Sequence, residues 1–279
     1  MDIQKEPQLI DRNMIVRVTE RVLEKLFPTA CYCSIAGSVV SGEYTTGSDI
    51  DVTVIVEGLG ISPALYYHSE YGLKFEFCVF DYESWKLCAM HAAEEAESGV
   101  LLQALNGLVV RDKQALHGSM TDLAAALFAE GPKPLSKEQL QAHKRSLANL
   151  RDDLAGANQT EMVFIVHRLF QRLVYLAIRL NGGWCGDGKW AARRLSQYAP
   201  DMVEPLLNAV QKTDDTTAIL ECADKIIGML GGPATDGYLT LPLQTGGLLP
   251  ETYDVLTNPR LQRGISSRVP HIAVHRATL

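Results

Sequence analysis

The sequence lacks most of the features that would place a protein in a specialised class. It has no apolar run long enough to cross a bilayer. Its first residues, Met1 to Pro7, lack the basic-then-apolar order of a secretory leader. The expectation is therefore a cytoplasmic protein with no membrane partner. It also lacks an excess of positive charge: the formal net charge is -7. A dedicated DNA or RNA binder shows the opposite balance, so nucleic acid is not an expected partner. CxxC pairs and Cys/His spacings typical of metal ligands are missing too. The six cysteines are scattered, several of them within apolar runs (Cys31, Cys33, Cys78), as reduced thiols usually are. No internal repeat or low-complexity tract is visible.

What is present is a chain of 279 residues, 47% hydrophobic, long enough for two modest domains with a core each. Residues 8–27 read as a helix, with Ile15, Val18, Val22 and Leu26 at helical spacing and Pro28 ending the run. Strands are expected at 31–36, 50–56 and 73–80, with Gly58-Leu-Gly60 and Pro63 as a break between the last two. A helix over 84–97 follows, opened by Asp81 as its cap. His91 on this helix has no partner in sequence and reads as a packed or exposed histidine. Then come an apolar piece at 100–105, a strand at 108–112 and a helix at 121–129. This order predicts an α+β domain built on a mixed sheet.

Gly131-Pro-Lys-Pro134 marks a boundary, because two prolines and a glycine stop one helix and restrict the link to the next. The first domain is thus expected over 1–131. Beyond it strand signals nearly vanish, and 135–230 reads as a bundle. Ser136 with Gln139 opens a helix running to Leu154. A longer helix covers 160–180, another starts near Lys189-Trp190, and two more lie at 202–211 and 216–230. From 231 to 279 periodicity is lost. This segment is too apolar to be simply disordered and is expected to lie along the other domains or across a partner subunit, which leaves a homodimer open.

The stretch that carries chemistry is Ala36-Gly37-Ser38, then a spacer, then Gly47-Ser48-Asp49-Ile50-Asp51-Val52. Residues alternate between faces along a strand, so Asp49 and Asp51 are expected on one side and Ile50, Val52 and Val54 on the other. Two carboxylates side by side repel unless a cation lies between them. The fitting guest is a hard divalent ion with oxygen ligands, Mg2+ carrying a nucleoside triphosphate. Gly37 would let the backbone approach a phosphate, and N–H groups at a helix start favour anions. The acidic balance does not oppose this, since a metal and a few local cations suffice for one triphosphate. Glu76, a carboxylate amid the aromatic strand at 73–80, needs a partner if buried. The alternatives are that Glu76 faces water on an edge strand, or that the Asp pair is only a solvated turn.

Gly37-Ser38 and Asp49-Ile50-Asp51 at this spacing, between two β-type runs, resemble the DNA polymerase β-type nucleotidyltransferase superfamily. The layout is closest to its small-molecule, aminoglycoside-type members, which carry a helical domain behind the catalytic one. The resemblance implies transfer of a nucleoside monophosphate, AMP from ATP as first expectation, to a hydroxyl of a small acceptor. Asp49, Asp51 and Glu76 would be the catalytic carboxylates and would hold two Mg2+ ions, with Glu76 as third ligand or general base. Asp81 is the fallback for that third place. Gly37, Ser38, Ser48 and Lys189 would bind the nucleotide. Lys189 reads equally as a solvated lysine at a helix end, Trp190 as a core residue, and Arg193 and Arg194 as a solvated face. The sequence departs from the pattern in one respect: Val39 to Glu43 holds no arginine, which leaves phosphate charge to the metals, Lys74, Lys189 or the tail. Two other readings stand beside this one, a protein-modifying (AMPylating) transferase and a fold that binds nucleotide without catalysis.

Overall fold

The computed structural model describes residues 12–45, 47–58, 64–212 and 215–234. The chain divides into two compact units, Met1–Ala234 and Thr235–Leu279. All described residues belong to the first, so the expectations for 8–11 and for the tail from 235 fall outside them.

Five strands form one mixed sheet: β1 (Tyr32–Ala36), β2 (Ile50–Ile55), β3 (Ala64–Glu70), β4 (Leu73–Phe80) and β5 (Leu108–Asp112), in the order β3-β4-β2-β1-β5. β1 runs antiparallel to both β2 and β5, and β3 antiparallel to β4, while β2 and β4 are parallel. The fold is α+β, as the element order predicts. β3 is an addition to that prediction. Pro63 and the preceding glycines read as a break, and most of Ala-Leu-Tyr-Tyr-His-Ser-Glu is exposed or half-exposed, so no apolar alternation announces a strand. β3 and β4 are joined through Tyr71 and Gly72, with φ of 55° and 73°. Glu70 pairs with Leu73, so this is a two-residue turn with both central φ values positive, as a type I′ hairpin requires.

The pleat sorts side chains onto two faces. Cys33, Ile35, Val52, Val54, Phe75 and Phe77 pack against Ile15, Val22 and Leu23 of α1 (Arg12–Leu26). The opposite face carries Tyr32, Ile55 and Phe80. It is covered by Trp85 and Ala89 of α3 (Tyr82–Glu95), Leu101 of α4 (Gly99–Asn106), and Met120 of α5 (Leu116–Glu130). Between β1 and β2 lies a single helical turn, α2 (Ser38–Ser41). Asp81 caps α3 by accepting from the Ser84 N–H at 2.7 Å. Asp112 does the same kind of work for α5, accepting from the N–H groups of Leu116 and His117 at 2.8 and 3.1 Å.

The helical part comprises α6 (Lys137–Gly156), α7 (Gln159–Leu180), α8 (Lys189–Tyr198), a 3-10 turn (Pro200–Met202), α9 (Val203–Gln211) and α10 (Thr217–Met229). Ser136 and Gln139 form the expected capping box at the start of α6. Leu147, Val166, Leu169, Leu173, Leu195, Leu206, Ile219 and Ile226 make a core of their own. The segment between α7 and α8 ties this part to the sheet. Trp184 is buried in the sheet-side core and stacks on Phe128 at 5.3 Å. The Cys185 N–H donates to the Ala96 carbonyl at 2.7 Å, and Arg179 donates to the Lys133 carbonyl at 2.6 Å. No helix among the described residues is long and apolar enough to cross a membrane.

Candidate active site

Strand register assembles the site. Ala36 pairs with Asp51 across β1 and β2, and Asp51 pairs with Glu76 across β2 and β4. Residues in register point to the same face with Cβ atoms about 5 Å apart. Asp51 and Glu76 are therefore neighbours on the face that α3 to α5 cover further along the strands. Moving along that face from the other end, the side chains pass from Tyr32, Ile55 and Phe80 to Ser34, Thr53 and Cys78, and then to Ala36, Asp51 and Glu76. Apolar packing gives way to small polar groups and then to carboxylates. The Thr53 hydroxyl donates to the Gln103 side-chain oxygen at 3.1 Å, closing the middle tier.

Glu76 lies on an interior strand, with β3 outside it, so it is not an edge carboxylate facing water. It is half-buried, as is Asp51. Burial, then the carboxylates of Asp49 and Glu76, push the Asp51 carboxyl up to about 6, with Lys189 pulling the other way. Asp49, Glu76 and Lys189 all lie within electrostatic reach of Asp51. Asp49 itself is exposed and precedes the first residue of β2. Asp81 and Asp112 are both occupied as helix caps. Tyr32 pairs with Asp112, four residues from Ala36, or about 13 Å along the strand from the carboxylates.

Gly37 follows Ala36 with φ +76°, and a Cβ built there would fall 1.7 Å from Asp51 Oδ2. Only a glycine suits both the dihedral and the space. Its backbone lies against the Asp51 carboxylate. Ser38, next in the chain, is 8% exposed. α2 has four residues and no side-chain cap, so the anion-favouring dipole expected of a helix start is confined to one turn. Ser48 is engaged locally, its hydroxyl accepting from the Thr45 N–H at 3.0 Å.

α8 stands over the α2 loop. Arg193 donates to Glu43 at 2.6 Å and lies over the Trp190 ring at 4.8 Å from its centroid. Trp190 is 41% exposed, so it is not the core residue that its type suggests. Arg194 donates to the Ser98 hydroxyl at 3.2 Å. Arg193 is exposed and its pair with Glu43 lies at the surface, as a solvated face implies, whereas Arg194 is half-buried against Ser98. Lys189, at the first position of α8, is exposed.

Asp49, Asp51 and Glu76 meet one of the two requirements of a metal site, donor type, and not the other, placement. The donors are hard carboxylate oxygens, the type Mg2+ takes, and the Asp51 carboxyl is raised first by burial and then by the negative charge of Asp49 and Glu76. In placement, however, no group of three or more His, Cys, Asp or Glu among the described residues gathers closely enough to enclose an ion. The donor chemistry fits; the carboxylates do not converge on a common point. The neighbouring Cys78 thiol, pushed up to about 12 by burial and then by Glu76 and Asp51, stays protonated.

No family model and no curated protein matches the chain. Among solved structures, a nucleotidyltransferase-like protein from Exiguobacterium sibiricum 255-15 is similar in part. The TM-score is 0.46 and the identity 11%, over 78% of this chain and 74% of that chain.

Proposed function

We propose that the protein is a nucleotidyltransferase that moves a nucleoside monophosphate, AMP in the first instance, from a triphosphate to a hydroxyl of a small acceptor. One observation carries the reading: Asp51 lies in register with Glu76 on one side and against Gly37 on the other, so the two halves of the sequence motif meet at one end of the sheet.

The roles follow from chemistry and position. The acceptor oxygen attacks the α-phosphorus, the bond from that phosphorus to the α,β-bridging oxygen breaks, and pyrophosphate departs with the bonding pair. Glu76 takes the acceptor proton. Ser38 and the N–H groups around Gly37 hold the terminal phosphates, and Lys189 offsets their charge. Asp49, Asp51 and Glu76 are the residues that would hold divalent cations, two Mg2+ by donor type, whose chemistry when bound is to ease deprotonation of the hydroxyl and neutralise the leaving pyrophosphate.

A second reading, a module that binds nucleotide without turnover, is favoured by the lack of convergence among the three carboxylates. One experiment separates the two: pyrophosphate release from each triphosphate with Mg2+, across a panel of hydroxyl-bearing acceptors, for wild type and Asp51→Asn. Transfer by the wild type, reduced at least about 100-fold in the variant, is the expected result. Equal rates would remove the mechanism. Metal-dependent nucleotide binding without turnover would establish the second reading.

A further inference from the structure

α7 buries Val166, Leu169 and Leu173 in the helical core. The opposite stripe of the same helix, Thr160, Phe164 and Arg168 at a spacing of four, is exposed. Phe164 is 73% exposed, more than any other large apolar side chain among the described residues. A lone exposed apolar residue needs no explanation. Phe164, however, forms one wall of an open hollow of about 660 Å3 beside the α6–α7 turn, lined also by Asp152, Asp153, Ala157, Glu161 and Ile165.

Charge is divided along this face. Asp152 and Asp153 are exposed at the turn, and Arg168 is exposed one helical turn past Phe164. None of these three makes an ion pair among the described residues. Glu161 is turned back on its own helix start, accepting from the Asn158 N–H at 2.9 Å. On the basic side a second cation adds to the first: burial, then the charge of Arg168, lower the pKa of Arg172. Acid, aromatic ring and base therefore follow one another along one face.

Such a face is complementary to itself. In an antiparallel pair of like helices, a step towards the C-terminus on one is a step towards the N-terminus on the other. With Phe164 of one copy in the hollow at Ala157 and Glu161 of the other, Arg168 lies one turn, about 6 Å, further along. That step brings it to the turn where Asp152 and Asp153 stand. A twofold axis repeats the same contacts in reverse, so each ring meets a hollow and each arginine an acid. A foreign partner would have to present acid, ring and base in the opposite order at the same spacing; a second copy does so by symmetry. Aromatic and arginine side chains are also the types that anchor association surfaces.

We propose that the protein pairs with a second copy of itself through α7 and the α6–α7 turn, with Phe164 of each copy seated in the hollow of the other and Arg168 set against Asp152 and Asp153 across the axis. The contact uses none of the residues assigned to nucleotide transfer, so it stands apart from that reading.

The test is sedimentation equilibrium of the full chain over about 1–100 μM, the range in which a modest interface is half-assembled. The wild type is expected to dimerise. Phe164→Ser, which replaces an exposed ring and should leave the urea midpoint in place, weakens the dimer at least about 30-fold. Arg168→Glu weakens it about fivefold, and so does Asp152→Lys with Asp153→Lys, where lysine also suits the end of α6. All three reversals together recover the dimer. Leu87→Ser on α3, at a side chain 63% exposed, leaves association as it is. A wild type that stays monomeric at the highest concentration overturns the pairing, as does a dimer that survives Phe164→Ser or is lost equally in Leu87→Ser. A combined reversal that recovers nothing overturns the antiparallel arrangement and the pairing with it.

Discussion

At the scale of single residues, the site is defined as much by an absent side chain as by those present. The missing Cβ of Gly37 leaves the space that Asp51 Oδ2 occupies. Gly37→Ala would put a methyl group there and impose a side chain on φ +76°. The methyl cannot be accommodated without moving Asp51 away from the row. The expected cost is about 1–3 kcal/mol in stability, read by urea denaturation, with loss of metal-dependent nucleotide binding. Ser38→Ala, one residue on, should leave stability nearly unaltered while weakening nucleotide binding, which separates a phosphate-contact effect from a backbone effect. The sequence announced Gly37 and Asp51 as members of one motif. It did not announce that they touch, because contact depends on the pairing of Ala36 with Asp51.

At the scale of elements, α6 and α7 meet at a polar contact between His143 and Arg172. Arg172 has only donors, so His143 Nδ1 must accept the hydrogen bond between them, 3.0 Å long, and the imidazole is neutral. Burial first, then Arg172 and Arg179, push His143 down to about 4, and Tyr175 closes the other side of the ring at 5.5 Å. A histidine whose folded pKa lies below its unfolded value near 6.5 contributes stability that is complete above that value and disappears as pH falls through 4. The urea midpoint of the wild type should therefore drop between pH 7 and pH 4.5 by more than that of His143→Gln; equal drops would count against it. Here too legibility follows physics. The helix α7 could be read from its apolar stripe, and α6 from Ser136 and Gln139, because local spacing and capping are written in neighbouring residues. β3 could not, since its exposed residues carry no alternation and its tyrosine–glycine turn matches no common hairpin signal. Glu76 was legible as an oddity among aromatics, but its place beside Asp51 comes from a parallel pairing between strands that are not consecutive.

At the scale of the molecule, the sheet-bearing part and the helical part have separate cores, and the segment between α7 and α8 is common to both. Trp184 leaves the helical part and packs, 3% exposed, in the core on the sheet's second face. Trp184 and Cys185 thus set where α8 begins and bring Lys189 near Asp51. Trp184→Ala should cost about 3–5 kcal/mol by thermal or urea unfolding, the range for a buried aromatic. In the fraction still folded, it should weaken triphosphate binding more than acceptor binding, measured by calorimetry. The two-residue turn at Tyr71-Gly72 has a different reach. It fixes β3 to β4 without touching the β1–β2–β4 pairings that collect the carboxylates. Lengthening or shortening that turn by one residue would slide β3 by half a pleat and present Tyr66 or His68 where Tyr67 now stands, leaving Asp51 and Glu76 undisturbed. The pairings that gather Asp51 and Glu76 are thereby independent of the outer hairpin, whose length can change without reaching them.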